Sequence, residues 1–264
     1  MKTPSPALLA AIAALFALPA WLPAAAGEGA GGCHMQFVWA EMPPYQTLGG
    51  DGKPTGIDIE LVAEAARRMP CTIDWELAPR ARAVLLVQEG KADAIVGVAR
   101  TAEREAFGIF SQPIREGRNV LIVRKGDAKS FPYNSLTELS ASGFRLGVTS
   151  GTKYSQEFEN LSRGGALADN IVTVQNGESA MAMLLRDRID GFLDGYRIAI
   201  NRAEQMGMRG DIDVHPMFVN EQKAFTLFSR TSGINPATIT RFNAVMLGMQ
   251  TDGTTNRIIS NYGS

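Results

Sequence analysis

One apolar run followed by two arginines most constrains how this chain can fold. Residues 89–123 read EGKADAIVGVARTAEREAFGIFSQPIREGRNVLIV. Within this stretch, residues 94–99 are short, apolar and bounded by Gly90 and a polar turn, which is the pattern of a buried strand. A buried parallel strand directs its C-terminal end to a crevice, where α/β sheets usually bind ligands. The sequence therefore predicts an α/β fold with a possible site beside Arg100 and Arg104.

The two arginines allow two interpretations. An arginine side chain carries a fixed fork of donors that matches a carboxylate through two parallel hydrogen bonds. Arg100 and Arg104 would then hold an anionic ligand just past the strand end. On their spacing alone, a pair of ordinary surface arginines in a loop is the favoured interpretation.

A wider pattern around them resembles a known family. The signature of the bacterial extracellular solute-binding proteins of family 3, periplasmic receptors for polar amino acids, is G-x-x-D-A, an apolar strand, T-x-x-R and F-S-x-P. The matching residues here are Gly90, Asp93, Ala94, Thr101, Arg104, Phe110, Ser111 and Pro113. The resemblance runs from about Met35 to the C-terminus. It implies a two-lobed, type II periplasmic binding protein-like fold, with a mixed sheet flanked by helices in each lobe and two crossover strands between them.

The N-terminal residues are typical of a cleaved secretory signal. Residues 7–22 are apolar, and residues 24–26 are alanines suited to cleavage before Gly27. A retained anchor is the alternative, because residues 7–26 form an uncharged run barely long enough to span a bilayer. We predict a signal peptide at 1–26 and a periplasmic location. Lobe 1 is predicted to comprise 27–117 and 221–264, and lobe 2 to comprise 118–220.

Composition excludes several classes of function. The 264 residues are 45% hydrophobic, which is ample for one large or two small cores. The 26 Lys and Arg nearly balance the 27 Asp and Glu, and the sequence has no basic patch of the nucleic-acid-binding type. The two cysteines and two histidines lack zinc-ligand spacing, and hydrolase motifs are absent from the sequence. We therefore predict no metal, no cofactor and no nucleic-acid partner.

The two cysteines are predicted to form a disulfide. In an oxidising periplasm, a pair of cysteines is more often bonded than free. Cys33 and Cys71 each directly precede a predicted strand of one β-α-β unit. Consecutive strands of such a unit often lie side by side and start at the same end, roughly 5 Å apart, which a disulfide can bridge.

The resemblance also implies an anion-binding turn in lobe 2. The family's G-[ST]-T-x-E turn binds the substrate carboxylate, and Gly151, Thr152 and Lys153 stand at its position. A helix is predicted to follow from Tyr154, and backbone amides at a helix start form a ready anion site. The stretch is not a P-loop, because the interval from Gly147 to Gly151 is one residue short.

Five more positions are implied to line the ligand. Met42 and Tyr45 lie in a proline-aromatic turn after the first strand, although Tyr45 suits a surface turn equally well. Arg80 replaces an aromatic residue that sandwiches the ligand, so it is either a third positive group in the cleft or a loop cap. Val98 stands where amino-acid receptors often offer a hydroxyl. Asp194 comes one residue before the position whose acid holds the ligand's α-amino group.

These residues favour a monomeric periplasmic binding protein. It would capture a small carboxylate-bearing solute, an amino acid or related organic acid, for an ABC transporter permease in the inner membrane, without catalytic residues. The departures at Val98 and Asp194 weaken the case for an ordinary α-amino acid. One alternative is an enzyme resembling cyclohexadienyl dehydratase, in which Glu221 would protonate a leaving hydroxyl. The other is a sensory module that presents its solute to a membrane receptor.

Overall fold

A mixed sheet of nine strands organises the part of the chain that the computed structural model describes, namely residues 1, 33–150, 152 and 154–262. The described residues from Cys33 to Tyr262 belong to one compact unit. The predicted signal peptide lies outside the described residues, apart from Met1. Among the helices that are described, none is both long and apolar enough to cross a membrane.

The first half of the chain is a β-α-β series. Its elements are β1 (Cys33–Trp39), β2 (Thr47–Leu48), β3 (Pro54–Thr55), α1 (Ile57–Arg68), β4 (Cys71–Leu77), α2 (Arg80–Gln88), β5 (Ala94–Val98) and α3 (Ala102–Phe107). Strand β1 pairs in parallel with both β4 and β5. Helix α1 has acidic residues in its first turn and arginines in its last, as the helix dipole favours.

One long strand continues from the first half into the second. β6 (Gly108–Arg124) has 17 residues. The remaining elements are α4 (Leu136–Ser140), β7 (Leu146–Thr149), α5 (Gln156–Ser162), β8 (Ile171–Val174), α6 (Gly177–Leu185), β9 (Gly191–Gly195), α7 (Tyr196–Gln205), β10 (Ile212–Val214), β11 (Asn220–Ser229), α8 (Pro236–Thr251) and α9 (Thr254–Ser260). The sheet order is β4-β1-β5-β11-β6-β9-β7-β8, with β10 beside β6.

Separate apolar cores lie on the two halves of this sheet. In the first half, Phe37 of β1 and Leu61 of α1 pack with Phe242 of α8. In the second half, β9 contributes side chains to the cores on both faces of the sheet, because consecutive strand residues point in opposite directions. Phe192 packs against α6 and α7, whereas Leu193 packs against the opposite side.

The structure confirms the predicted disulfide. β1 and β4 are parallel neighbours, and their register places Cys33 directly beside Cys71. The two sulfur atoms are bonded, and the Cα atoms are 4.5 Å apart. The bond links the first residues of β1 and β4.

Candidate functional site

A buried ion pair lies at the centre of the candidate site. Arg115 of β6 donates from Nε to Asp58 Oδ1 at 2.5 Å and from Nη2 to Asp58 Oδ2 at 3.2 Å. The Asp58 side chain is 0% exposed and the Arg115 side chain is 8% exposed. The Arg115 guanidinium carbon also lies 3.3 Å from the centre of the Tyr45 ring. The carboxylate and the aromatic ring together fix the orientation of this guanidinium.

A glycine in β5 makes room for this pair. Gly97 has φ of +69°, and a Cβ there would lie 2.2 Å from Asp58 Oδ2 and 2.3 Å from Gln46 Nε2. Gln46 is fully buried and donates from Nε2 to Asp58 Oδ2 at 3.2 Å. Any larger residue at Gly97 would displace these groups, so the glycine lets the polar cluster pack directly on the strand.

Two further arginines bind backbone carbonyl oxygens at the C-terminal end of β5. Arg80, the first residue of α2, donates from Nη1 to the Gly97 carbonyl at 3.4 Å and contacts Met42 Sδ at 3.4 Å. Arg104 of α3 folds back and donates from Nη1 to the Ala99 carbonyl at 2.7 Å. We call Arg80, Arg104 and Arg115 the arginine cluster.

The charges of the cluster act on one another. Burial lowers the pKa of the Arg80 guanidinium, the Asp58 carboxylate opposes that change, and the positive charges of Arg104 and Arg115 add to it. Arginine nevertheless stays charged in proteins. The structure thus brings together Arg80 and Arg104, two of the residues that were predicted to line the ligand.

The other predicted residues of the first half occupy different surroundings. Tyr45 is buried, and burial raises its pKa above the ordinary value. Met42 contacts Arg80 through its sulfur. The Val98 side chain is buried in the apolar core between β5, α2 and β11, so it presents only its backbone to any ligand. Arg100 is not brought to the cluster: it pairs with Glu105 at 2.5 Å and is 57% exposed.

The predicted anion turn is built differently from the expectation. The Thr152 amide donates within the turn to the Thr149 carbonyl at 3.1 Å, and the Thr149 amide donates to the Tyr154 hydroxyl at 2.9 Å. Helix α5 begins at Gln156, with the Ser155 side chain as its cap, rather than at Tyr154. Thr152 is exposed at the tip of this turn. Gly151 and Lys153 lie outside the described residues.

Asp194 is committed to another side chain. It shares a face of β9 with Phe192, the face that α7 covers, and Arg202 of α7 donates to its Oδ2. The Gly195 amide donates to Oδ1 at 2.8 Å. Burial raises the pKa of Asp194, against the lowering effect of Arg202. The one-residue slip in sequence therefore turns this acid toward a structural partner.

The two halves of the chain approach each other at this site. The charges of Asp194 in β9 and Arg197 in α7 both act on the buried hydroxyl of Tyr45. The Arg118 guanidinium of β6 lies 4.6 Å from the centre of the Tyr196 ring in α7. Glu221, the candidate acid of the dehydratase alternative, is exposed on β11 and pairs in register with Arg118.

Sequence reasoning missed the ion pair and the partner of Asp194. Asp58 gave one usable signal, since it is an acidic residue between the apolar residues Ile57 and Ile59 at the start of α1; the structure shows that it is fully buried. Arg115 and Arg202 gave none, because the pairing of Arg115 with Asp58 spans 57 positions of sequence. Among the residues described, no grouping of His, Cys, Asp and Glu could hold a metal ion.

Comparison with known proteins gives a consistent set of relatives. An arginine-binding protein of an ABC transporter in Escherichia coli (strain K12) is 22% identical over 230 residues, covering 84% of this chain and 86% of that protein. A probable amino-acid-binding protein of Bacillus subtilis (strain 168), YxeM, is 24% identical over 176 residues. That match spans 66% of this chain and 64% of the length of the relative.

The fold has solved counterparts as well. The structure of an ancestral cationic amino acid solute-binding protein matches with a TM-score of 0.70 and 19% identity, covering 88% of this chain and 96% of that one. This likeness confirms the predicted two-lobed, type II periplasmic binding protein fold. The sequence pattern of one family, the bacterial extracellular solute-binding proteins, family 3, matches residues 37–264. The chain therefore belongs to that family.

Proposed function

We propose that this chain captures a small carboxylate-bearing solute, an amino acid or a related organic acid, and delivers it to an ABC transporter permease. The observation that carries the proposal is the arginine cluster. Arg80 and Arg104 donate to backbone carbonyl oxygens and so retain donors for a ligand. A partly buried guanidinium with donors left over binds a carboxylate more strongly than a fully exposed group does. The relatives named for amino-acid and arginine binding support the same solute class.

The proposal includes closure of two lobes about the crossing strands. β6 pairs with β11 through residues 108–119, and with β9 through residues 119–123. The change of partner falls at Asn119, which faces Asn220 in the ladder. This crossing supports the predicted boundaries, lobe 1 at 27–117 and 221–264 and lobe 2 at 118–220. Hinge closure about such strands is a common way to enclose a ligand.

A thermal-shift screen of residues 27–264 tests the solute class. Ligands that bind only the native state raise its melting temperature, by an amount that grows with ligand concentration over Kd. We expect amino acids or small organic acids to raise it, and neutral sugars and polyamines to leave it unchanged. A shift with sugars or polyamines alone would contradict the proposal.

Two further measurements address transport and catalysis. Uptake of the identified solute by cells should depend on this protein together with an ABC permease, and the purified chain should behave as a monomer. Uptake that is unaffected when the protein is removed would favour a sensory role. Formation of phenylpyruvate from prephenate, lost in Glu221→Gln, would favour the dehydratase alternative.

A further inference from the structure

The arginine cluster carries more positive charge than its carboxylate neutralises. Asp58 accepts hydrogen bonds from the Arg115 guanidinium on both of its oxygens, and its charge acts on Arg80 without a hydrogen bond. Arg80 and Arg104 instead donate to backbone carbonyl oxygens, which carry no net charge. Within the described part of the chain, two guanidinium groups of the cluster therefore lack a carboxylate partner.

These two groups are placed where an uncompensated charge is unfavourable. Arg80 and Arg104 are both partly buried, and the repulsion from Arg104 and Arg115 acts on Arg80 against the attraction of Asp58. A buried charge is costly unless it is paired, and like charges nearby increase that cost. An anion bound between Arg80 and Arg104 would relieve both effects. One carboxylate compensates one guanidinium. Since Asp58 compensates one of the three arginines, the cluster can bind two further carboxylates.

Asp194, the acidic residue that was predicted to line the ligand, has no unpaired negative charge to offer. Asp194 accepts from Arg202 and from the Gly195 amide, and Arg202 also contacts Glu178 at 3.3 Å. Gly177 lets Arg202 settle there, since a Cβ at Gly177 would lie 2.0 Å from Arg202 Nη1. An ammonium group placed beside Asp194 would meet a carboxylate whose charge is already neutralised.

We infer that the solute carries two anionic groups, as a dicarboxylate does, held by Arg80 and Arg104, and that it needs no ammonium group. This inference rests on the proposed function and narrows the solute class of the same site. It separates this chain from a receptor for cationic or zwitterionic amino acids. The distinction follows from the ion pairs within the described residues. Asp58 and Asp194 each bind an arginine, whereas Arg80 and Arg104 bind backbone carbonyl oxygens and no carboxylate.

Calorimetric titration with matched compounds tests the solute class. The compounds are succinate, glutarate and adipate, each compared at pH 7 with its monocarboxylate and with its α-amino counterpart. We expect the best dicarboxylate to bind at least ~30-fold more tightly than its monocarboxylate, equivalent to ~2 kcal/mol. We also expect it to bind at least as tightly as its α-amino counterpart. Binding of glutamine or arginine at least ~10-fold tighter than every dicarboxylate would overturn the inference.

Variants of the cluster test the assignment of the two arginines. In Arg80→Gln, the preference for dicarboxylate over monocarboxylate should fall below about 3-fold. In Arg82→Gln, an exposed change on the same helix, the preference should stay at the wild-type value. Arg104→Gln provides the same test if Arg80→Gln fails to give a cooperative melting curve. An unchanged preference in both folded cluster variants would overturn the inference.

The outcomes also separate this inference from the proposed function. If monocarboxylic amino acids bind and dicarboxylates do not, the inference fails while the proposed capture of a carboxylate solute stands. If no amino acid, monocarboxylate or dicarboxylate binds, the proposed function fails and the inference fails with it.

Discussion

The buried ion pair makes Asp58→Asn an informative perturbation of stability. Asp58 Oδ1 accepts from Arg115 Nε, and Oδ2 accepts from both Arg115 Nη2 and Gln46 Nε2. An asparagine has one oxygen and one amino group, so in either orientation its amino group faces a donor. The change also leaves the Arg115 guanidinium buried without a counter-charge. Removing one partner of a buried ion pair costs ~3–5 kcal/mol.

This loss is large enough to measure directly. For a chain of this size, 1 kcal/mol corresponds to about 2–4 °C in Tm, so Asp58→Asn should melt roughly 6–20 °C below wild type. Urea unfolding followed by circular dichroism should give a lower midpoint with an unchanged slope, because the surface exposed on unfolding stays the same.

Glu105→Gln is the matched control. The Arg100–Glu105 pair has the same N–O distance of 2.5 Å as the Arg115–Asp58 pair, but its side chains are 57% and 47% exposed. Exposed pairs contribute ~0–1 kcal/mol, so the control should melt close to wild type. If Asp58→Asn lowered stability no more than Glu105→Gln does, burial would not be what gives the Asp58–Arg115 pair its importance.

Three further predictions concern the disulfide, the ligand and pH. Free-thiol titration of the unfolded, unreduced chain should find no thiol at Cys33 or its partner. Arg104→Ala should weaken solute binding by roughly thirty-fold to several thousand-fold, or ~2–5 kcal/mol, in calorimetric titration, while the exposed Arg82→Ala binds normally. Hydrogen bonding from Arg67 lowers the pKa of Glu64 from 4.5 to about 2. Glu64 therefore stabilises the fold above pH ~4.5 and loses this effect as pH falls toward ~2, so urea midpoints should decline more steeply in wild type than in Glu64→Gln.

Local patterns in the sequence were enough to place much of the sheet. β5 occupies residues 94–98 of the run 94–99 that was predicted as a buried strand, and β1 and β4 are the strands that were predicted beside Cys33 and Cys71. Each is a short β-branched or apolar run next to turn residues, so its identity depends on neighbours in sequence. The disulfide between Cys33 and Cys71 followed from the same local assignments, because parallel strands of a β-α-β unit start together.

Features that depend on distant partners were not predictable in this way. β6 runs through Pro113, a residue that usually ends strands, because β11 pairs along it with a register shift on each side of Pro113. Helix α5 begins two residues later than predicted. The Tyr154 hydroxyl accepts a hydrogen bond from the Thr149 amide, so Tyr154 belongs to the turn and not to the helix. The burial of Arg115 depends on Asp58, which is 57 positions away in sequence, so a local hydrophobic pattern does not predict the pair.

The crossing strands and the turn at residues 149–154 form one connected unit. Asn119 Nδ2 donates to Asn220 Oδ1 at 3.0 Å, and Asn220 Nδ2 donates to the Tyr154 carbonyl at 3.0 Å. The Tyr154 hydroxyl in turn accepts from the Thr149 amide. A rotation about the crossing strands therefore displaces the turn with them unless these hydrogen bonds break. Since β6 also carries Arg115, lobe closure would move the turn relative to a guanidinium that Asp58 and Tyr45 hold fixed. Closure of the proposed lobes would therefore change the distance between Thr152 and the arginine cluster.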